Sequence, residues 1–185
     1  MSNLQIKKTD NSHLVEKVKL RLDCLDEIEK DEVKILECYS GTGVIWDEVK
    51  KHTKKNLKIL KIEKRIFKDS VYLVGDNLKF IESIDINKFD IIDLDAYGSP
   101  VKLLEIILKK GYKGCVHCTY IQTMFGGLDK KMLNKLGYSN SMINKIPSLF
   151  NRNPLEKMLF YLNTYNVKCI KGYFLKNKNY FYFFS

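Results

Sequence analysis

The chain is poor in the residues that break or staple a fold. Its 185 residues hold only three prolines, Pro100, Pro147 and Pro154, and no low-complexity linker or internal repeat divides it. One domain spanning residues 1–185 is therefore expected, long enough to bury one packed core. No apolar run approaches the length of a membrane span. The start, Met1-Ser2-Asn3-Leu4-Gln5-Ile6-Lys7-Lys8, lacks the apolar core of a secretion signal. Five cysteines, an odd number and mostly scattered, do not make a disulfide framework and fit a reducing compartment. The expectation is a cytoplasmic protein with no membrane attachment.

Arginine is scarce as well. Arg21, Arg65 and Arg152 are the only ones among 32 basic side chains, so the formal charge of +10 rests on lysine. A basic surface attracts phosphate backbones and steers their approach. The same lysine content also fits a general Asn/Ile/Lys bias, so charge alone does not select a partner. Nucleic acid, RNA before DNA, is the expected partner, and a protein partner for substrate recognition stays open.

What the chain does have is alternation. Residues 12–30 carry Leu14, Val15, Val18, Leu22, Leu25 and Ile28 at helical spacing, which predicts a leading helical segment over 1–30. Strand-like runs follow at Val33–Cys38, Leu57–Ile62, Val71–Val74, Asp90–Leu94 and Cys115–Ile121. Helices are predicted from Val44 and over Val101–Lys110 and Leu155–Tyr165, with a turn over Arg65–Lys68. This order predicts a mainly parallel sheet with helices on both faces. Two last runs, Val167–Leu175 and Tyr180–Ser185, are joined only by Lys176-Asn177-Lys178-Asn179, too short for a crossover helix. They should form an antiparallel hairpin and complete a seven-stranded sheet.

In such α/β sheets ligands bind beyond the carboxyl ends of the strands. The first end reads Glu37-Cys38-Tyr39-Ser40-Gly41-Thr42-Gly43. Gly41 and Gly43 let the loop turn tightly against a ligand, and Glu37 lies just before it. Glu63 ends the second strand, where a carboxylate can accept both ribose hydroxyls. Asp76, followed by Asn77, ends the third, within reach of an adenine amino group. A dinucleotide site wants Gly-x-Gly-x-x-Gly, but Trp46 fills the third glycine position. S-adenosyl-L-methionine has no pyrophosphate and fits better. The cofactor residues expected are Glu37, Tyr39, Ser40, Gly41, Gly43, Glu63, Asp76, Asn77 and Asp93.

The fourth run ends in Asp93-Leu94-Asp95-Ala96-Tyr97-Gly98-Ser99-Pro100. Alternation puts Asp93 and Asp95 on one face. A mid-strand carboxylate is costly unless partnered, so Asp93 either belongs to the site or is structural, accepting N–H groups of the glycine loop. Asp95, at the strand end, is the stronger candidate for catalysis. An exocyclic amine on guanine or adenine is a poor nucleophile, because its lone pair is delocalised into the ring. Asp95 and the Ala96 carbonyl can accept its two hydrogens and aim the lone pair at a sulfonium methyl. Tyr97 can stack on the base while Gly98 gives clearance. A base in a duplex would first have to leave its stack.

These motifs resemble a known family. Asp93 to Pro100 is similar to the Asp-Leu-Asp-Pro-Tyr/Phe-Gly-Ser-Pro motif of the tRNA guanine N2-dimethyltransferases. Cys115-Val116-His117-Cys118-Thr119-Tyr120 resembles that family's Cys-Val-Thr-Cys-Thr-Asp, and Ser40-Gly41-Thr42-Gly43 its cofactor loop. The likeness covers roughly residues 33–127. It implies a Rossmann-like class I methyltransferase that moves a methyl from S-adenosyl-L-methionine to guanine N2 of a tRNA. Asp95 would contact the amine, with Asp93 beside it. Ala96 departs from the family's proline and Tyr120 from its acid, and the family's additional RNA-binding region is not expected here. Adenine-N6 methylation of DNA or RNA is the first alternative, and an inactive binding module of the same fold the second.

Other features are set aside. Cys115-Val116-His117-Cys118 invites a metal reading, but Cys115 and Cys118 should face opposite ways and no second pair sits at ligand spacing; no metal is expected. Asp95-Ala96 with Cys118-Thr119 partly echoes the RNA cytosine-C5 methyltransferases, but Tyr97 stands where their proline lies and the fourth-strand cysteine is missing. His13, His52 and His117 read as surface or packed histidines, and Lys50-Lys51 with Lys54-Lys55 as a solvated helix end. Trp46 and the tail Tyr180-Phe181-Tyr182-Phe183-Phe184 read as core. Residues 125–153, with Gly126-Gly127, Lys130-Lys131, Lys135, Tyr138, Lys145 and Arg152, are either connecting helices or a substrate-side insertion that holds nucleic acid.

Overall fold

The computed structural model describes residues 12–64, 72–96, 99–121, 130–146, 153–167, 169–175 and 178–185. Helix α1 (Leu14–Asp26) leads into β1 (Glu32–Cys38), α2 (Val44–His52), β2 (Asn56–Glu63) and the two-residue β3 (Leu73–Val74). Then come α3 (Asn77–Ser83), a short 3-10 turn (Ile86–Lys88), β4 (Ile91–Leu94), α4 (Val101–Lys109) and β5 (Cys115–Ile121). Helices α5 (Lys130–Lys135), α6 (Asn140–Lys145) and α7 (Pro154–Asn163) precede the hairpin of β6 (Lys171–Phe174) and β7 (Lys178–Phe184).

The seven strands form one sheet in the order β3-β2-β1-β4-β5-β7-β6. The first five run parallel, and β7 pairs antiparallel with both β5 and β6. This is the predicted architecture. The hairpin join is shorter than expected, because Lys178 and Asn179 already belong to β7 and Asn179 pairs with Phe174. β6 is also shorter than its run, because pairing begins only at Lys171. Helix α3 and the 3-10 turn went unforeseen; both begin at an aspartate, Asp76 and Asp85, whose side chain accepts a backbone N–H two residues on.

Strand alternation divides the core in two. Leu36, Ile92, Leu94, Val116, Cys118, Phe181 and Phe183 pack with α3, α4 and α7 on one face. Val33, Ile35, Ile91, Cys115, Tyr180 and Tyr182 pack with α1 and α2 on the other. Cys115 and Cys118 do face opposite ways, and Trp46 and Tyr180 to Phe183 are buried as expected. In α1 the expected apolar stripe is corrected: Val15 is 77% exposed, while Lys17 and Arg21 are buried beside Val18, Leu20, Cys24 and Leu25. The order of strands reverses between β1 and β4. That puts the crevice where open α/β sheets bind ligands directly over Glu37 and Asp93, which are register partners. Residues 125–153 contain the connecting helices α5 and α6, with Met132, Leu133 and Ile143 packed into the core. Among the described residues no helix is long and apolar enough to cross a membrane.

Candidate functional site

Parallel register lines up a polar row across the face beneath α1. Glu37 of β1 pairs with Asp93 of β4, Asp93 with His117 of β5, and His117 with Tyr182 of β7. All four are buried. One step nearer the strand tips, Thr119 pairs with Tyr180 and lies beside Asp95. A charged row in a core has to be partnered, and α1 supplies the partners.

Arg21 donates from Nε to Asp93 Oδ2 and from Nη2 to Asp93 Oδ1, both at 2.8 Å. Trp46 Nε1 adds a third bond to Asp93 Oδ2 at 2.7 Å, and the guanidinium carbon lies 5.7 Å from the indole centroid. The alternative in which Asp93 pins the glycine loop is therefore corrected: its partners are Arg21 and Trp46. One helical turn earlier, Lys17 Nζ donates to Asp95 Oδ2 at 2.8 Å, and the Thr119 hydroxyl donates to Asp95 Oδ1. Burial works against the Asp95 charge, but Lys17, Arg21 and the two hydrogen bonds outweigh it and hold the carboxyl below its ordinary range. Its side chain keeps 17% exposure. It is a fixed, ionised acceptor at the edge of the crevice, and too weakly basic to remove protons readily.

Glu37 differs. Burial, then the Asp93 charge, push its carboxyl up to about 8, against the pull of Lys61 and Arg21. Its Oε2 has no hydrogen-bond partner among the described residues. The loop beyond it is built on left-handed backbone at Tyr39 (φ 62°), Gly41 (φ 53°) and Gly43 (φ 75°), which suits glycine at two of the three. Gly43 N–H closes the turn onto the Ser40 carbonyl at 2.7 Å, and Ser40 N–H reaches Ile62 of β2. Glu63 Oε2 accepts the Gly41 N–H at 2.9 Å, so the acid expected to hold a ribose also shapes the loop. Asp76 Oδ1 caps α3 through Leu78 N–H at 2.8 Å. Burial, then neighbouring Cys38 and Asp76, push the Tyr39 phenol up to about 12.

Two further buried acceptors at these tips, Ser40 Oγ and Asn77 Oδ1, also lack partners among the described residues. Unmet polar atoms this deep are rare in a folded protein. Here three of them, Glu37, Ser40 and Asn77, border one crevice. The set fits a ligand with an ammonium, hydroxyls and a heterocyclic amine, which are the groups of S-adenosylmethionine.

The structure thus brings together Glu37, Tyr39, Ser40, Gly41, Gly43, Glu63, Asp76, Asn77, Asp93, Asp95 and buried Ala96 at the tips of neighbouring strands. Tyr97 and Gly98, the Arg65–Lys68 turn, Gly126-Gly127 and Arg152 lie outside the described residues. Sequence reasoning missed Lys17, Arg21 and Thr119. Only half of the signal was there: two acids on one strand face demand cations, and Lys17 and Arg21 stand four residues apart on one helix face, but nothing local turns that face inward.

Comparison with solved structures follows this architecture. The chain is similar to MnmC2 from Aquifex aeolicus, with 18% identity and a TM-score of 0.55 over 91% of this chain and 59% of that one. It thus spans less than two thirds of that neighbour. It is also similar to a SAM-dependent methyltransferase from Archaeoglobus fulgidus, with 12% identity and a TM-score of 0.55, covering 92% and 93% of the two chains. The fold is that of the Rossmann-like methyltransferases. A candidate ribosomal RNA methyltransferase from Plasmodium falciparum aligns over 97% of this chain and 98% of its own, at 15% identity and a TM-score of 0.51. No family model matches the chain, and no curated protein matches it.

Proposed function

We propose that the chain, acting as one methyltransferase domain, transfers a methyl group from S-adenosyl-L-methionine to an exocyclic amine of a nucleic-acid base, with guanine N2 of an RNA as the favoured acceptor. The observation that carries the cofactor is the ring of unmet buried acceptors, Glu37, Ser40 and Asn77, around the left-handed loop at the β1/β4 reversal. When bound, S-adenosylmethionine supplies an electrophilic methyl on a sulfonium. Glu37, giving up its proton as the cation arrives, would take the ammonium of its amino-acid part, Glu63 the ribose hydroxyls, and Asp76 with Asn77 the adenine edge.

The acceptor side rests on Asp95. Lys17 and Thr119 fix its carboxylate, and the remaining lone pairs can take an amine hydrogen. The task is to orient the amine and offset its developing positive charge, not to deprotonate it beforehand. An amine that has just gained a methyl is acidic enough to lose its proton to water. The RNA preference draws on the formal charge of +10, on the motif of residues 93–100, and on the likeness to a candidate ribosomal RNA methyltransferase.

A second reading, a binding module of the same fold, draws on Lys17: its ammonium already holds Asp95 Oδ2, the atom an acceptor amine would approach. One experiment separates the two. The protein is incubated with methyl-labelled cofactor and, separately, tRNA, rRNA and DNA; the products are digested to nucleosides. Labelled N2-methylguanosine supports the proposal, and Asp95→Ala should lower that signal about 10²–10³-fold. Labelled N6-methyladenine moves the acceptor, and cofactor binding with no labelled product favours the binding module.

A further inference from the structure

Cys24, Cys115 and His117 meet in the interior between α1 and β5. All three are buried, and their ligand atoms lie within 4.8 Å of one another. The two sulfurs are 3.1 Å apart in a thiol hydrogen bond. Neither ring nitrogen of His117 makes a hydrogen bond of good geometry among the described residues; its polar neighbour is the Cys24 thiol, close enough to interact. The imidazole also packs against rings: Trp46 edge-on at 6.4 Å and Tyr182 at 5.2 Å. A fully buried imidazole whose polar partner is only a weak thiol is poorly satisfied.

We propose that Cys24, Cys115 and His117 bind one soft divalent cation of the zinc class, which clamps α1 to the sheet. The donor set is two sulfurs and one imidazole nitrogen, the types that select zinc over hard cations. Binding displaces the two thiol protons to solvent. Two thiolates, a neutral imidazole and a dication then sum to zero charge, the state a dry interior tolerates best. A disulfide between the cysteines would leave His117 without a strong partner; a cation uses all three groups. Ordinary zinc–sulfur bonds of about 2.3 Å at a tetrahedral angle would part the sulfurs by roughly 0.7 Å from their present 3.1 Å. A tetrahedral ion keeps one further position, for water.

A cleft lies one ring away from the cluster. It holds about 470 Å³ between α1 and the hairpin and is lined by Asp23, Asp26, Glu27, Lys171 and Tyr182, among others. Lys171 pairs with Glu27 at 2.9 Å, and Asp23 and Asp26 leave the lining net negative. Tyr182, part of its wall, is the ring that packs against His117.

The full-length protein, stripped with chelator under reductant, is titrated with Zn²⁺ against a chromophoric chelator and separately with Co²⁺. One equivalent should bind, and cobalt should give a thiolate charge-transfer band with strong visible bands of tetrahedral type. Cys24→Ser and Cys115→Ser should each weaken binding about 100-fold or more, above the loss expected of outer-shell changes, and His117→Gln at least about 10-fold. Cys169→Ser, at an exposed thiol, should bind as before. Circular dichroism of each metal-free variant checks folding. The cobalt spectrum of the unaltered protein tests the site even if a variant fails to fold. No stoichiometric uptake, or unchanged affinity in a folded Cys24→Ser variant, overturns the proposal. So does a protein that oxidises to a Cys24–Cys115 disulfide in air but takes up no cation once reduced.

Discussion

The two faces of the sheet each pack an apolar core, but among the described residues the strands offer buried charge on only one of them. Beneath α3, α4 and α7 the strands offer Leu36, Ile92, Leu94, Val116, Phe181 and Phe183, and the helices answer with Leu103, Leu104, Ile107, Met158 and Leu162. Beneath α1 and α2 the same strands offer Glu37, Asp93, His117 and Tyr182 in one register row, and the helices answer with Arg21 and Trp46. The first face is held by contact area and has no preferred chemistry. The second adds to its apolar cluster a row of matched charges, so it is the more sensitive to pH and to the loss of a single partner. The crevice opens where the second kind of face reaches the strand tips.

The largest difference should appear with pH. Glu37 is raised from an ordinary 4.5 to about 8, so between those values the folded protein keeps a proton that the unfolded chain has released. Stability contributed by Glu37 is therefore greatest below about 4.5 and is lost as pH rises toward 8, by about 1.4 kcal/mol per unit of separation. Thermal melts from pH 5 to 9, run beside Glu37→Gln, should diverge, with the variant gaining relative to the parent by several kcal/mol at the top of the range. The variant should also bind S-adenosylmethionine more weakly. Parallel curves would remove Glu37 from the polar face as a titrating group.

Next is Arg21→Met, which strands Asp93 as a buried, uncompensated charge. Urea unfolding should show a loss of about 3–5 kcal/mol. Adding Asp93→Asn to that variant should recover much of it, because the penalty lies in the orphan and not in the missing pair. An additive double variant would mean that the two side chains do not depend on each other.

Leu104→Ala samples the other face. Its cost should be about 2–4 kcal/mol, the same from pH 5 to 9, and cofactor affinity should not change. A pH-dependent loss there would mean that the two faces are coupled through the sheet.

The asymmetry also explains what could be read beforehand. Alternation and strand length exposed the sheet and its hairpin, because periodicity records burial. Gly41, Gly43, Glu37 and Asp95 were legible because strand ends are where such residues have few structural duties. Lys17 and Arg21 were not, because a cation on a helix ordinarily marks the solvent side, and Val15 looked like the better core residue. Only pairing, a long-range fact joining residues 21 and 93, turns that face inward. Cys24 was hidden in the same way: it meets Cys115 from 91 residues away, beyond any local spacing rule.

The smallest effect belongs to Thr119→Val, a change close to isosteric that deletes only the hydroxyl on Asp95 Oδ1. Asp95 stays paired with Lys17 at 2.8 Å and keeps some contact with water, so the stability loss should be about 1 kcal/mol. The consequence for methyl transfer should be larger than that figure implies. A carboxylate held from both sides has one orientation; held only by the long, flexible Lys17 it has several, and the amine it accepts is no longer aimed. Single-turnover methylation with saturating cofactor should slow by about tenfold while cofactor affinity holds, because the defect lies on the acceptor side. Equal losses in rate and in cofactor affinity would instead mean that Thr119 supports the cofactor pocket, and the division of labour between Glu37 and Asp95 would have to be redrawn.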